Sequence, residues 1–254
     1  MSHDIVCVIP ARYGSTRLPG KPLCEINGLP LVMWVYNSAM KAGVFDRVIV
    51  ATDDHRIGDA VKKHGGEYVM TASDHARGTD RVYEAVGGLK CTHIVNFQGD
   101  EPLVPAFVLE KFVCELKKID HNSLLTIASD ATMNERDNPN VVKVVLNQEG
   151  DALYFSRSPI PYDCKGEGTF LKHKGIYGFT LESLRRYCGF PQGELEKRES
   201  LEQLRALEYG MKIRCLVCNF ESIGIDTAED LQRFRLQVAT RSYGEQPEAD
   251  SYSR

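Results

Sequence analysis

Short apolar runs punctuate the first hundred residues, and the stretches between them repeat apolar positions at helical spacing. Ile5 to Ile9, Arg47 to Ala51, Glu67 to Met70 and Thr92 to Phe97 read as strands. Leu31–Lys41, Ile57–Lys63 and Arg81–Val86 read as helices, the second closed by Gly65 and Gly66. Strands apolar on both sides, with helical patterns between them, specify βαβ units on a parallel sheet. Ligands of such sheets collect at the carboxyl ends of the strands. Three charged loops occupy that rim: residues 10–21, 52–55 and 98–102.

From about Leu124 the rhythm changes. Leu124–Ala128, Val141–Leu146, Ala152–Phe155 and Lys174–Phe179 read as strands with no long helix between them, joined by polar loops at 130–140 and 158–172. An antiparallel or mixed insertion is expected there, a common place for substrate contacts or a dimer face. Helical patterns return at Leu181–Tyr187 and Glu199–Tyr209, followed by a strand at Lys212–Asn219. A last helix opens at Asp226–Thr227, where acids follow closely as a capping signal. The polar stretch from about Ser242 to Arg254 is expected to be disordered. The expected organisation is an α/β part over 1–123, a strand-rich subdomain over 124–195, a closing α/β part over 196–241 and a tail over 242–254.

Composition narrows the function. The 254 residues are 43% hydrophobic, enough for a sizeable core without staples. A net charge of −4 excludes a general polyanion binder, which needs a basic surplus. An anionic ligand must therefore be held by a few local cations. No apolar run approaches the roughly 18 residues of a membrane span, and the N-terminus lacks the pattern of a signal peptide. Eight scattered cysteines suit a reduced, cytoplasmic protein better than a disulfide framework. Cys215 and Cys218 form a CxxC, but in a strand-like run with no second pair or histidine nearby.

Four motifs carry chemistry. A strand runs into Pro10-Ala11-Arg12-Tyr13-Gly14-Ser15-Thr16-Arg17-Leu18-Pro19-Gly20-Lys21, a glycine-containing loop with three cations. Glycine lets backbone N–H groups approach phosphate oxygens, and the cations neutralise them. The pattern is neither a P-loop nor a dinucleotide fingerprint, and a merely solvated cationic loop is the alternative. Asp100, in Gln98-Gly99-Asp100-Glu101-Pro102, stands at the end of another strand as a hard-oxygen ligand suited to Mg²⁺, or as a turn residue. Asp226 offers a second acid, or only a helix N-cap. Gly78-Thr79-Asp80-Arg81 opens a helix, where free N–H groups and the dipole favour an anion; ordinary helix-start residues explain it equally well.

The ordered set PARYGSTRLPGKPL, ATDD, GTDR, NFQGDEP, NPNVVKVV, ALYFSRSPIPY, KHKGIYGF, LEQLRALEYG and GIDTAEDL resembles the 3-deoxy-manno-octulosonate (Kdo) cytidylyltransferase family from about Val6 to Arg235. The resemblance implies a Rossmann-like, mainly parallel sheet of the nucleotidyltransferase or GT-A kind, with a smaller strand-rich sugar-binding and dimerisation subdomain. It implies Mg²⁺-dependent transfer of CMP from CTP to the anomeric 2-hydroxyl of Kdo, releasing pyrophosphate, for lipopolysaccharide biosynthesis, by a cytoplasmic homodimer. Pro10, Ala11, Arg12, Ser15, Arg17 and Lys21 match the CTP phosphate loop. Gly78, Thr79, Arg81 and Gln98 match the cytosine and ribose contacts. Asp100 and Asp226 match the Mg²⁺ ligands, and with Arg12 and Lys21 make the implied catalytic set. Arg157, His173, Tyr177, Glu202 and Gln203 match the segments lining the acid-sugar pocket. Lys174 departs from the apolar residue usual in the H-x-GIY segment, and the 163–171 loop is shorter than in many members.

Each sugar-side residue has a plainer reading. Arg157 is either a bidentate partner for the sugar carboxylate or an edge-strand cation, and His173 is either a sugar contact or a satisfied structural histidine. Glu202 and Gln203, adjacent on a helix, point about 100° apart and cannot both face a pocket squarely. Two further functions stay open: the same reaction on an 8-amino sugar or another acid sugar, and a non-catalytic nucleotide-binding regulatory module. The second could dispense with Lys21, Asp100 or Asp226, and all three are present.

Overall fold

The computed structural model describes residues 3–14, 18–75, 77–166, 168–222 and 224–241. The tail expected to be disordered lies outside the described residues. In chain order the elements are β1 (His3–Ala11), β2 (Glu25–Ile26), β3 (Leu29–Pro30), α1 (Leu31–Ala42), β4 (Arg47–Thr52), α2 (His55–Lys63), β5 (Tyr68–Met70), α3 (Gly78–Val86), β6 (Cys91–Phe97) and α4 (Ala106–Leu116). They continue with β7 (Ser123–Ala131), α5 (Met133–Asp137), β8 (Lys143–Leu146), β9 (Ala152–Ser156), β10 (Phe170–Thr180), α6 (Leu181–Cys188), α7 (Glu194–Glu199), α8 (Leu204–Glu208), β11 (Lys212–Val217) and α9 (Ala228–Arg241).

One sheet of nine strands runs β11-β7-β10-β6-β1-β4-β5, with β8 paired to β10 and β9 to β8. The front strands β6, β1, β4 and β5 are mutually parallel, as the βαβ rhythm requires. Strand β10 enters antiparallel to both β6 and β7. The strand-rich segment therefore contributes two strands to the interior of the main sheet, while β8 and β9 hang from its side as a hairpin.

Alternation along β1 assigns the two faces. Ile5, Cys7 and Ile9 pack with α1, α2 and α4, whereas Val6 and Val8 pack with α3, α6 and α8. Both sets are shielded from water, which is why the strand reads as an unbroken apolar run. A third cluster, Ile26, Leu31, Ile225, Leu231 and Phe234, fastens α9 across α1.

Two elements differ from the sequence expectation. Helix α4 fills residues passed over between Pro102 and Leu124; its Val108, Leu109, Phe112, Val113 and Leu116 are buried against the sheet. The helix expected over Glu199–Tyr209 is only α8; a turn from Ser200, with φ +53°, separates it from α7, which lies before the expected range and was not anticipated. The break is fixed from outside: Glu199 accepts from the Ser156 hydroxyl at 2.6 Å and the Arg157 backbone N–H at 2.9 Å. These contacts with the end of β9 hold the chain in a turn that helical propensity alone would not choose.

Candidate active site

A cleft of about 350 Å³ opens where β1 and β6 end and α3 begins, lined by Arg12, Lys21, Arg77, Gln98, Asp100 and Asp226 among others. Strand-end position follows from the parallel sheet. Two glycines let the walls close. Gly20 has φ +69°, and a Cβ there would meet the Tyr13 ring at 3.1 Å; its N–H instead donates to the Tyr13 carbonyl at 3.0 Å, folding the loop back on itself. A Cβ on Gly99 would lie 3.2 Å from the Pro10 carbonyl oxygen, so only glycine lets the 98–102 turn lie against the phosphate-type loop.

Lys21 occupies the floor. Its ammonium donates to Asp100 Oδ2 at 3.2 Å, Asp226 Oδ1 at 3.2 Å and the Ile225 carbonyl at 2.8 Å. Residues separated by 79 and 205 positions in sequence thus converge on one nitrogen. Asp226 is freed for this role because Thr227 caps α9: the Thr227 hydroxyl accepts from the Asp230 N–H at 3.2 Å, and Asp230 accepts from the Thr227 N–H at 3.0 Å. The open choice between acid and cap therefore resolves, with Asp226 pointing into the cleft and its neighbour doing the capping.

Pro10, Ala11, Arg12, Gly78, Arg81, Gln98 and Glu202 also line the cleft. Ser15 and Arg17 lie outside the described residues. Arg12 is exposed in the cleft mouth, while Arg81 is buried and donates to Asp53 at 2.8 Å and to the Thr71 hydroxyl. Thr79 sits behind the cleft wall, accepting from the buried Asn96 amide at 3.0 Å.

The remaining sugar-side residues lie behind this cleft. The Arg157 guanidinium donates to the Glu199 carbonyl at 2.8 Å and the Pro139 carbonyl at 3.0 Å. The Tyr177 hydroxyl donates to Gln203 Oε1 at 3.1 Å, both side chains being buried. His173 packs edge-on to Phe155 with ring centres 5.1 Å apart, and its Nε2 meets the Thr126 hydroxyl at 2.8 Å. That hydroxyl also faces the Ile176 carbonyl at 2.9 Å and the Lys174 carbonyl at 3.2 Å; with its one proton given to a carbonyl, Nε2 is the donor in the contact with Thr126. Burial holds the His173 pKa down to about 3, with the Lys174 charge adding to it. Glu202 and Gln203, no longer consecutive on a helix, diverge in the turn before α8: the first faces the cleft, the second the core.

Several cleft residues carried no sequence signal. Arg77, His75 and Ser200 line it. Arg77 donates to the fully buried Glu196 at 3.0 Å, and Arg205 donates to both oxygens of the same carboxylate at 2.8 and 2.9 Å. Next to this network, burial raises the Glu202 carboxyl to about 7, and nearby Asp80 pushes in the same direction. The Glu202 Oε2 atom has no hydrogen-bond partner among the described residues.

The chemistry available is that of an anion site with an acid pair. Two carboxylates flanking one ammonium supply hard oxygens for a small divalent cation, and phosphates would complete the shell. Among the described residues no cluster of three or more metal-type side chains occurs.

Comparisons with known proteins bear on this geometry. The sequence model of the family described as cytidylyltransferase matches residues 6–213. The 3-deoxy-manno-octulosonate cytidylyltransferase of Thermodesulfovibrio yellowstonii is 45% identical over 243 residues, covering 89% of this chain and 95% of the relative. That of Syntrophobacter fumaroxidans is 47% identical over 235 residues, covering 90% and 94%. A solved CMP:2-keto-3-deoxy-manno-octonic acid synthetase complexed with CTP superposes with a TM-score of 0.89 at 40% identity, covering 93% of this chain and 99% of that one.

Proposed function

This chain belongs to the 3-deoxy-manno-octulosonate cytidylyltransferase family, and on that premise we propose that it transfers CMP from CTP to the anomeric 2-hydroxyl of Kdo, with Mg²⁺, releasing pyrophosphate. The observation that carries the reading is the Lys21 ammonium held at 3.2 Å from both Asp100 and Asp226 on the floor of the strand-end cleft. A cation and two acids at one point suit a reaction whose barrier falls through charge neutralisation and positioning.

In this reading the 2-hydroxyl oxygen, giving up its proton to solvent, attacks the α-phosphorus while the bond to the β-phosphate oxygen breaks and pyrophosphate leaves. Lys21 and Arg12 oppose the charge that grows on the α-phosphate and the departing pyrophosphate. Ser15 and Arg17 join them on the strength of the motif. Gly78, Thr79, Arg81 and Gln98 hold the nucleoside end, where the α3 N-terminus opens onto the cleft. Asp100 and Asp226 would hold Mg²⁺, which when bound neutralises phosphate charge and lowers the pKa of the attacking hydroxyl. Glu202 contacts the sugar from the cleft wall; Tyr177, Gln203, Arg157 and His173 support that wall from behind or reach the sugar after rearrangement.

The proposal extends to a cytoplasmic homodimer serving lipopolysaccharide assembly. All eight cysteines are free thiols, which suits a reducing compartment. The test is pyrophosphate release with CTP, Mg²⁺ and either Kdo or its 8-amino analogue. Release with Kdo is expected, release only with the analogue redirects the sugar assignment, and none with either from folded protein rejects the reading. Asp100→Ala is expected to cut turnover by at least about a hundredfold with an unchanged circular dichroism spectrum; full activity would reject the acid-pair assignment.

A further inference from the structure

Asp100 and Asp226 are carried by separate segments, the turn after β6 and the chain between β11 and α9. Their spacing depends on what joins those segments. One link is the Ile225 N–H donating to the Asp100 carbonyl at 2.9 Å. The other is a side-chain cluster behind the acids that the proposed chemistry does not use. Lys174 projects from the irregularity in β10, where pairing with β7 shifts between Lys174 and Tyr177. Its ammonium donates to the Ser222 hydroxyl at 2.7 Å and lies 5.4 Å from the centre of the Phe220 ring. The Ser222 hydroxyl in turn bonds the buried Glu101 carboxyl, whose pKa burial pushes up and the nearby Lys174 charge draws part of the way back. A Cβ on Gly224 would stand 4.0 Å from Glu101 Oε1, so the carboxylate sits directly against the segment that delivers Asp226.

We propose that Lys174, Ser222 and Glu101 form a latch that fixes Asp226 relative to Asp100, making Lys174 a positioning residue for the divalent cation. Glu101 follows Asp100 in the chain, and Ser222 precedes Asp226 by four residues. The latch therefore ties the two acids together through groups that touch neither the cleft nor substrate.

The inference rests on the Mg²⁺ reading, so its test starts with Mn²⁺ binding to the wild-type protein with CTP, followed by electron paramagnetic resonance. No binding there rejects the Mg²⁺ reading itself. If wild type binds, Lys174→Met is expected to weaken Mn²⁺ affinity about tenfold, a cost of about 1.4 kcal/mol. CTP affinity in chelator should stay within about twofold of wild type, because the phosphate loop does not depend on the latch. Turnover should recover at high Mg²⁺, and Lys174→Arg should restore Mn²⁺ binding. Unchanged or tighter Mn²⁺ binding in Lys174→Met overturns the latch, since removing a positive charge without loss of position would draw the cation in. An equal fall in CTP and Mn²⁺ affinity also overturns it, as the mark of a general structural role. Should Lys174→Met fail to fold, Ser222→Ala decides: it removes only the hydroxyl, and wild-type Mn²⁺ affinity in that variant overturns the proposal.

Discussion

Burial turns two side chains of the sugar-side wall into opposing pH sensors. Glu202 is raised to about 7 from an ordinary 4.5, so between those values the folded protein holds a proton that the unfolded chain has lost. Its contribution therefore falls as pH rises, by up to about 1.4 kcal/mol per unit. His173 is lowered to about 3 from 6.5, so in that window the unfolded chain holds the extra proton and stability rises with pH by a similar slope. Relative to wild type, Glu202→Gln is expected to gain stability with rising pH between about 4.5 and 7. His173→Asn is expected to lose its relative stability as pH rises from about 3 to 6.5. Denaturant titrations at several pH values read both, and a flat difference for either variant rejects the corresponding assignment. The environment behind these values was not legible in the sequence, because it comes from partners such as Thr126 and Phe155 that lie far away along the chain. The cationic loop and the two acids were legible, since each stands at a strand end with recognisable chemistry. Arg77 was not, because its partner Glu196 is 119 residues away.

At the scale of elements, α7 and α8 are tied to each other by a buried ion network. Glu196 is fully buried, Arg205 is nearly so, and the Arg205 guanidinium lies 5.1 Å from the centre of the Tyr187 ring. Removing one partner of a buried charge pair costs about 3–5 kcal/mol, because the other is left uncompensated. Arg205→Met is expected to destabilise by that order. Combining it with Glu196→Gln should recover part of the loss, and additive losses in the double variant would show that the two do not act as a pair. Turnover should fall with stability in the single variant, since the turn between α7 and α8 carries Ser200 and Glu202 to the cleft. Sequence pattern recovered the front of the sheet, where β1, β4 and β6 are largely buried runs between helices and only the edge strand β5 is half-buried. It missed α7 and ran a helix through the turn before α8 because nothing local marks Ser200; the signal lies in Ser156 and Arg157, which seize Glu199 from another strand. Helix α4 left a trace that went unread, an apolar stripe from Val108 to Leu116 beginning just after Pro105.

For the whole molecule, a net charge of −4 coexists with a cleft built to hold a polyphosphate. The cations are local, and two of the chain's acids belong to the same site, so global charge says little about the ligand beyond excluding long nucleic acids. No helix among the described residues is long and apolar enough to cross a membrane. Exposed apolar side chains instead concentrate in one stretch of chain. Six of the nine large ones exposed among the described residues fall between 133 and 217: Met133, Leu153, Tyr162, Leu181, Tyr209 and Val217. Strand β11 ends the sheet, but its outer side is partly closed by the β8–β9 turn, where the Cys215 N–H donates to the Gly150 carbonyl at 2.9 Å. Sheet extension through β11 is thereby blunted. A closed two-fold dimer, the commonest oligomer, is then expected to use the Leu153 and Tyr162 surface. Sedimentation equilibrium should give twice the chain mass at micromolar concentration, and Leu153→Glu should shift the protein to monomer without lowering the affinity of the cleft for CTP. A wild-type monomer under those conditions would remove the dimer from the proposal.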